Sequence, residues 1–241
     1  MNKIFTFGYN RPDLLEKQYE SLIKNIIGDF EFYLVYDHID DKYTEEFEKV
    51  CSKCSIDVYD HQREKNFGNS QNHANSIQWI YDNFLDDEDN CLFLDHDIFL
   101  IDKFNIDFYF SQYDVFGGLT SNGIVEYFSP IVFGFKYEKL KQFNLNFSPG
   151  IYDNQSLDTC GNSYLLLKNK FLKKKVLGQV VYSEESNNED PNKIFELIDG
   201  KFIHLYGASK WYENFNFYKK DEDRKNLLFS IVDKGIVNNN Y

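Results

Sequence analysis

Two aspartates interrupt an apolar run in Leu92-Phe93-Leu94-Asp95-His96-Asp97-Ile98-Phe99-Leu100. Spaced i, i+2, their carboxylates are expected on one side of an extended chain. Like charges held together in a partly dry site repel and lose hydration. A divalent cation relieves both costs and can bridge to a diphosphate, and hard oxygen ligands suit Mn2+ or Mg2+. A solvated loop with two surface aspartates is the other reading of these residues. Far downstream, Ile203-His204-Leu205-Tyr206-Gly207-Ala208-Ser209-Lys210-Trp211 sets a histidine at a strand end, followed by glycine and lysine. His204 offers a metal ligand, Gly207 a close backbone approach, and Lys210 a positive charge for phosphate. A purely structural histidine is the competing reading.

These groups need elements to hold them. Residues 3–8 read as a first strand, broken by Asn10-Arg11-Pro12-Asp13, where Pro12 or Asp13 can start a helix. Leu14, Leu15, Tyr19, Leu22, Ile23 and Ile26 recur at helical spacing. Residues 30–36 predict a second strand, 44–53 a charged helix, 56–59 a third strand and 70–84 a further helix. Residues 91–94 are wholly apolar, as in a strand buried on both faces of a parallel sheet. This alternation predicts an α/β fold: a Rossmann-like αβα sandwich around a mixed, mainly parallel sheet. In the second half, 115–119, 126–135 and 202–205 read as strands. Helices are expected near 137–143, over 163–175 and around Leu227–Val232, and residues 184–192 read as a polar, acidic loop.

The chain has 241 residues, 42% of them hydrophobic, enough for one sizeable core without staples. A formal net charge of −13 repels polyphosphate backbones, which argues against nucleic acid as a partner. The N-terminus lacks a basic and apolar leader pattern, and no run of 18 apolar residues occurs, so a soluble, cytoplasmic protein is expected. Cys51-Ser-Lys-Cys54 has metal or redox spacing, but no second pair completes a site, so a structural role is expected. Thr6, Tyr9, Arg11 and Asp37 fall at the C-terminal ends of the first two strands, the edge where open α/β sheets bind ligands. For Arg11 an ion pair and for Tyr9 a core position stand as alternatives; His73, in the helix after Asn66-Phe67-Gly68, either faces the pocket or has a structural role.

Taken together, the motifs resemble those of GT-A fold, nucleotide-sugar-dependent glycosyltransferases over most of the chain. Phe5-Thr6-Phe7-Gly8-Tyr9-Asn10-Arg11-Pro12 is similar to the start of family 2 and related inverting enzymes, and Asp95-His96-Asp97 to their DxD motif. Asn66-Phe67-Gly68 resembles their Asn-x-Gly turn, and His204-x-x-Gly207-x-x-Lys210-Trp211 the HxxGxxK(P)W motif of glycogenin-like enzymes, without its proline. The resemblance implies that Asp97 and His204 bind Mn2+, that Asp95 contacts ribose or metal, and that Asp37 and Asn66 lie on the nucleotide side. It also implies one catalytic domain over 1–241, with a nucleotide-sugar half (1–102), an acceptor half (103–215) and a C-terminal helix and tail (216–241). The donor would be a nucleoside-diphosphate sugar and the acceptor a hydroxyl, on a glycan. The N-terminal half points to inversion and the His-Gly-Lys motif to retention, with inversion favoured. Inversion needs a carboxylate base. Asp158 is its first candidate and Asp153 its reserve, although Asp158 or Thr159 could instead cap the following helix. A nucleotidyltransferase and a non-catalytic carbohydrate-binding protein on the same fold are the rival readings; the first lacks a glycine-rich, basic phosphate loop.

Overall fold

The computed structural model describes residues 1–36, 43–61, 69–183, 194–205 and 221–234. The first hundred residues alternate strand and helix: β1 (Asn2–Gly8), α1 (Pro12–Asn25), β2 (Ile26–Ile27), β3 (Glu31–Tyr36), α2 (Thr44–Cys54), β4 (Asp57–Asp60), α3 (Asn69–Asn83), β5 (Asn90–Asp95) and β6 (Ile98–Leu100). Then come β7 (Phe104–Asn105), α4 (Ile106–Gln112), β8 (Val115–Ser121), β9 (Glu126–Lys136), α5 (Tyr137–Leu140), β10 (Ile151–Tyr152) and β11 (Gln155–Ser156). The chain continues through α6 (Tyr164–Lys168), β12 (Lys174–Val176), β13 (Gln179–Ser183), β14 (Ile194–Ile198), β15 (Phe202–His204) and α7 (Asp221–Lys234).

The apolar strands pair into a seven-stranded sheet, β12-β8-β9-β5-β1-β3-β4, in which only β9 runs against the rest. Alternation along each strand sends side chains into two layers. Ile4, Leu92 and Leu94 pack with residues of α1, α2 and α4 on one face. Phe5, Phe7 and Phe93 pack with α3, α5 and α6 on the other. This is the αβα arrangement with a mixed, mainly parallel sheet that the alternation predicts. Strands from both halves of the chain share it.

A second sheet, β13-β14-β15-β6, takes up the chain at Ile98, with two residues between it and the end of β5. Phe99 of β6 lies opposite Ile203 of β15, so the backbone groups of Ile98 and Leu100 face away from that partner. Helix α1 meets them with side chains instead of another strand. Gln18 Nε2 donates to the Ile98 carbonyl at 2.9 Å and the Asp95 carbonyl at 2.7 Å. Ser21 Oγ accepts from Leu100 N at 3.1 Å, and Asn25 Nδ2 donates to the Leu100 carbonyl at 2.7 Å. Spaced by three and four, these polar residues form one buried stripe of the helix. They satisfy an edge strand that burial would otherwise leave short of partners.

Three sequence expectations change. Ile23, expected on the apolar face of α1, is exposed, because the polar stripe occupies the buried face. The helix expected over 163–175 stops at Lys168. Asn169 Oδ1 takes the Phe171 N–H, Lys174 Nζ donates to the Leu167 and Asn169 carbonyls, and β12 joins the sheet edge beside β8. The chain between Asp95 and Ile98 is a turn rather than an extended strand, so the two acids do not share one strand face. The acidic loop expected over 184–192 lies outside the described residues.

Gln18→Leu removes the donor from both carbonyls without changing the bulk of the helix face. It should lower the unfolding free energy by ~1–3 kcal/mol, read by chemical denaturation, since unpaired buried polar groups carry that cost. No measurable loss would mean the stripe does not hold β6.

Candidate metal and nucleotide site

The order of the central sheet creates a crevice. From β1 the chain builds outward through β3 and β4, then returns to place β5 on the other side of β1. Strand order reverses there, and ligands of open α/β sheets bind outside the carboxyl ends of such strands. Asp95 ends β5 at this point, opposite Phe7 of β1.

Each acid of the turn meets its own imidazole. Asp95 Oδ1 lies 3.2 Å from His73 Nε2, which α3 brings in against the Phe7 ring. Both atoms are buried, and despite the short separation neither is aligned to complete a hydrogen bond. Asp97 Oδ1 lies 3.4 Å from His204 Nε2, and both residues are only 5% exposed. The second sheet makes this meeting possible: His204 sits opposite Ile98 in the β15–β6 ladder, and Leu205 N donates to the Asp97 carbonyl at 3.0 Å. Behind His204, Nδ1 and Glu196 Oε2 are 2.9 Å apart across the β14–β15 pair.

Burial raises the Asp95 carboxyl above its usual range; His73 opposes the rise and Asp97 adds to it. Asp97 moves the other way, because His204 outweighs the burial that would raise it. Burial pulls the His204 imidazole down, but Asp97 and Glu196 overcome it and push it up to about 10. Burial lowers His96, against the pull of both aspartates.

The donors fit a hard divalent cation. Ligand atoms about 2.1 Å from one such ion sit roughly 3.0–3.4 Å from each other, and the Asp97–His204 separation of 3.4 Å matches that edge. The misaligned buried pair at Asp95 is the kind of orphan a cation would satisfy. Among the described residues no three His, Cys, Asp or Glu side chains converge as one cluster. The Glu196–His204 pair has the arrangement in which a carboxylate orients a metal-bound imidazole.

The other sequence-derived candidates divide. Arg11, 1% exposed, makes a two-pronged pair with Asp13, at 2.8 Å from Nε and 2.9 Å from Nη2. Thr6 is wholly buried, so in this conformation it presents no surface to a ligand. Tyr9 is half-buried in the bend after β1. Asp158 is exposed; its Oδ1 accepts from Thr159 N at 2.8 Å. Neither Asp158 nor Thr159 caps the next helix, because Cys160, at φ 66°, takes the position before the 3-10 turn at Gly161–Ser163. The Cys160 thiol is pushed up by burial and then by the charges of Asp95 and Asp158. Asp153 occupies the exposed tip of the β10–β11 hairpin, where it and Asn154 take the left-handed conformations of a two-residue turn. Asp37, Asn66, Gly207 and Lys210 lie outside the described residues. Cys51 and Cys54 are free thiols, and burial pushes Cys51 up to about 11.

Sequence reasoning passed over Glu196 and left His73 with two readings. Glu196 did carry a signal: it is the one charge in the apolar strand Ile194–Ile198, the same kind of interruption that marked Asp95 and Asp97.

No family model matches the sequence, and no curated protein does. Among solved structures, the mannosyltransferase PcManGT of Pyrobaculum calidifontis, in complex with GDP-Man and Mn2+, is similar over 73% of this chain and 53% of its own, with 9% identity and a TM-score of 0.49. The glycosyltransferase GlyE of Streptococcus pneumoniae is similar over 72% and 44%, with 15% identity and a TM-score of 0.46. TarS 1–349 of S. aureus, in complex with UDP, is similar over 61% and 49%, with 17% identity and a TM-score of 0.43. The chain spans about half the length of these structures. Among the described residues no helix is long and apolar enough to cross a membrane.

In chelator-treated protein, the folded pKa of His204 lies above its ordinary value of 6.5. Its pairing therefore adds stability that is complete below pH 6.5 and lost as pH rises through about 10. Thermal melts across that window should fall more steeply for the wild type than for Asp97→Asn. Parallel curves would contradict the pairing.

Proposed function

We propose that this chain is a metal-dependent glycosyltransferase with a GT-A-type fold. It moves a sugar from a nucleoside-diphosphate donor to a hydroxyl of a glycan acceptor. The observation that carries the reading is the closing of His204 onto Asp97, 3.4 Å away, beside Asp95 at the point where strand order reverses.

In this reading Asp97 and His204 hold Mn2+ or Mg2+, and Asp95 contacts the ion or the donor ribose. A cation held by these residues would offset the charge that gathers on the departing diphosphate. Glu196 fixes the imidazole so that Nε2 faces the ion, and His73 steadies Asp95. Gln18 keeps the turn in register through the carbonyls of Asp95 and Ile98. Lys210 and Gly207 serve the diphosphate; Tyr9, Arg11, Asp37 and Asn66 serve the nucleotide, and Thr6 acts there only if its strand end opens. Asp158 takes the proton of the acceptor hydroxyl as its oxygen attacks the anomeric carbon and the bond to diphosphate breaks, which inverts configuration. Asp153 is the reserve base. Its place on an exposed hairpin tip supports an acceptor contact at least as well.

A screen of nucleotide sugars, including GDP- and UDP-linked ones, tests this by release of nucleoside diphosphate with and without Mn2+. Release should need the metal. Glu196→Gln should weaken metal affinity ~10–100-fold, and Asp158→Asn should lower kcat by ~100-fold or more with donor binding kept. Sugar binding without turnover would favour a carbohydrate-binding protein. Pyrophosphate release from a nucleoside triphosphate and a sugar phosphate would favour a nucleotidyltransferase.

A further inference from the structure

Between Thr159 and Ser183 the chain carries five lysines and no aspartate or glutamate, in a protein of net charge −13. All five fall between Lys168 and Lys175. Among them Phe171 stands in the turn from α6 to β12 with 95% of its surface exposed. Its neighbours fix it there. Leu172 points the other way into the core, Asn169 Oδ1 holds the Phe171 N–H at 2.7 Å, and Lys174 ties down the carbonyls at the end of α6. Leu165, on the same short helix, is 50% exposed.

The lysines differ in what they do. Lys174 is engaged by carbonyls, and Lys175 lies 3.9 Å from Asp199. Lys168 reaches over the rings of Tyr152 and Tyr164 yet stays exposed, as do Lys170 and Lys173. Of the acids on adjoining elements, Asp114 takes the Lys173 backbone N–H and lies 3.6 Å from Lys136, Asp199 takes the Tyr109 hydroxyl, and Asp153 stands exposed beside Tyr152.

We propose that the α6–β12 turn docks on an anionic lipid bilayer. Phe171 enters the headgroup region, and Lys168, Lys170 and Lys173 face the acidic phosphates. An exposed aromatic flanked by exposed ammonium groups matches an interface that is apolar within and negative at its surface. A polyanion alone would match the lysines and leave Phe171 without a role. Repulsion from the acidic remainder of the chain fades within about 8–10 Å at ordinary salt, so a local basic patch can govern the contact.

Co-sedimentation of the full chain with vesicles tests it, comparing phosphatidylglycerol mixed into phosphatidylcholine against phosphatidylcholine alone. The protein should pellet with the anionic vesicles only. Lys170→Glu and Lys173→Glu should each weaken the partition about fivefold or more. Phe171→Ser should weaken it about tenfold at unchanged melting temperature, and Phe108→Ser, which removes an exposed ring from α4, should have no effect. Failure to pellet, or pelleting with both vesicle types alike, would overturn the proposal. So would equal binding to soluble polyphosphate that Phe171→Ser leaves intact, or a dimer in solution that Phe171→Ser dissolves without any vesicle binding.

Discussion

The structure turns on a constraint of charge. Two aspartates must stay at a largely buried turn where one sheet ends and another begins. Unrelieved, their repulsion and lost hydration would drive water into the core or force a proton onto one of them. The fold sets an imidazole from a distant element beside each: His73 on α3 lies 3.2 Å from Asp95 without completing a hydrogen bond, and His204 on β15 pairs with Asp97. Bringing His204 in requires β15 to pair with β6, and that requires β6 to leave the central sheet directly after the acids. The open edge of β6 then needs the polar stripe of α1. Much of the topology around the crevice follows from siting these two charges.

The environments also separate the acids. Asp97 is closed in, charge-paired and held in the ionised form by His204. Asp95 keeps about a fifth of its side chain exposed, and burial works against its ionisation. A buried, ionised oxygen beside an oriented imidazole is suited to anchoring a cation. A carboxylate that still reaches the crevice is suited to meeting what the cation holds. The imidazolium at His204 satisfies Asp97 across the 3.4 Å pair.

Much of this was legible in the sequence, for reasons that also explain the misses. The layered α/β fold shows because strands buried on both faces are almost wholly apolar and because Pro12 marks the start of α1. The acids and His204 show because charge in an apolar run is costly and needs a reason. Glu196 satisfies the same criterion, but its strand pairs through a hairpin that pattern reading did not assign. The α1 stripe was hidden because Gln18, Ser21 and Asn25 look like a solvent face, while Ile23 looks like a core residue. Only the unpaired edge of β6 inverts that reading. The helix over 163–175 fails because leucine and lysine favour helix locally, whereas Leu172 and the sheet edge reward an early stop. The i, i+2 spacing suggested acids on one strand face; the turn brings them to the same crevice by another route.

Anomalous diffraction at the manganese edge tests the central claim most directly, on crystals grown with Mn2+ and a nucleoside diphosphate. The account requires a peak about 2.1 Å from both an Asp97 carboxylate oxygen and His204 Nε2, with the diphosphate on its far side. A peak elsewhere, such as beside the acidic residues Asp86–Asp89, or diphosphate bound away from the turn, would contradict it.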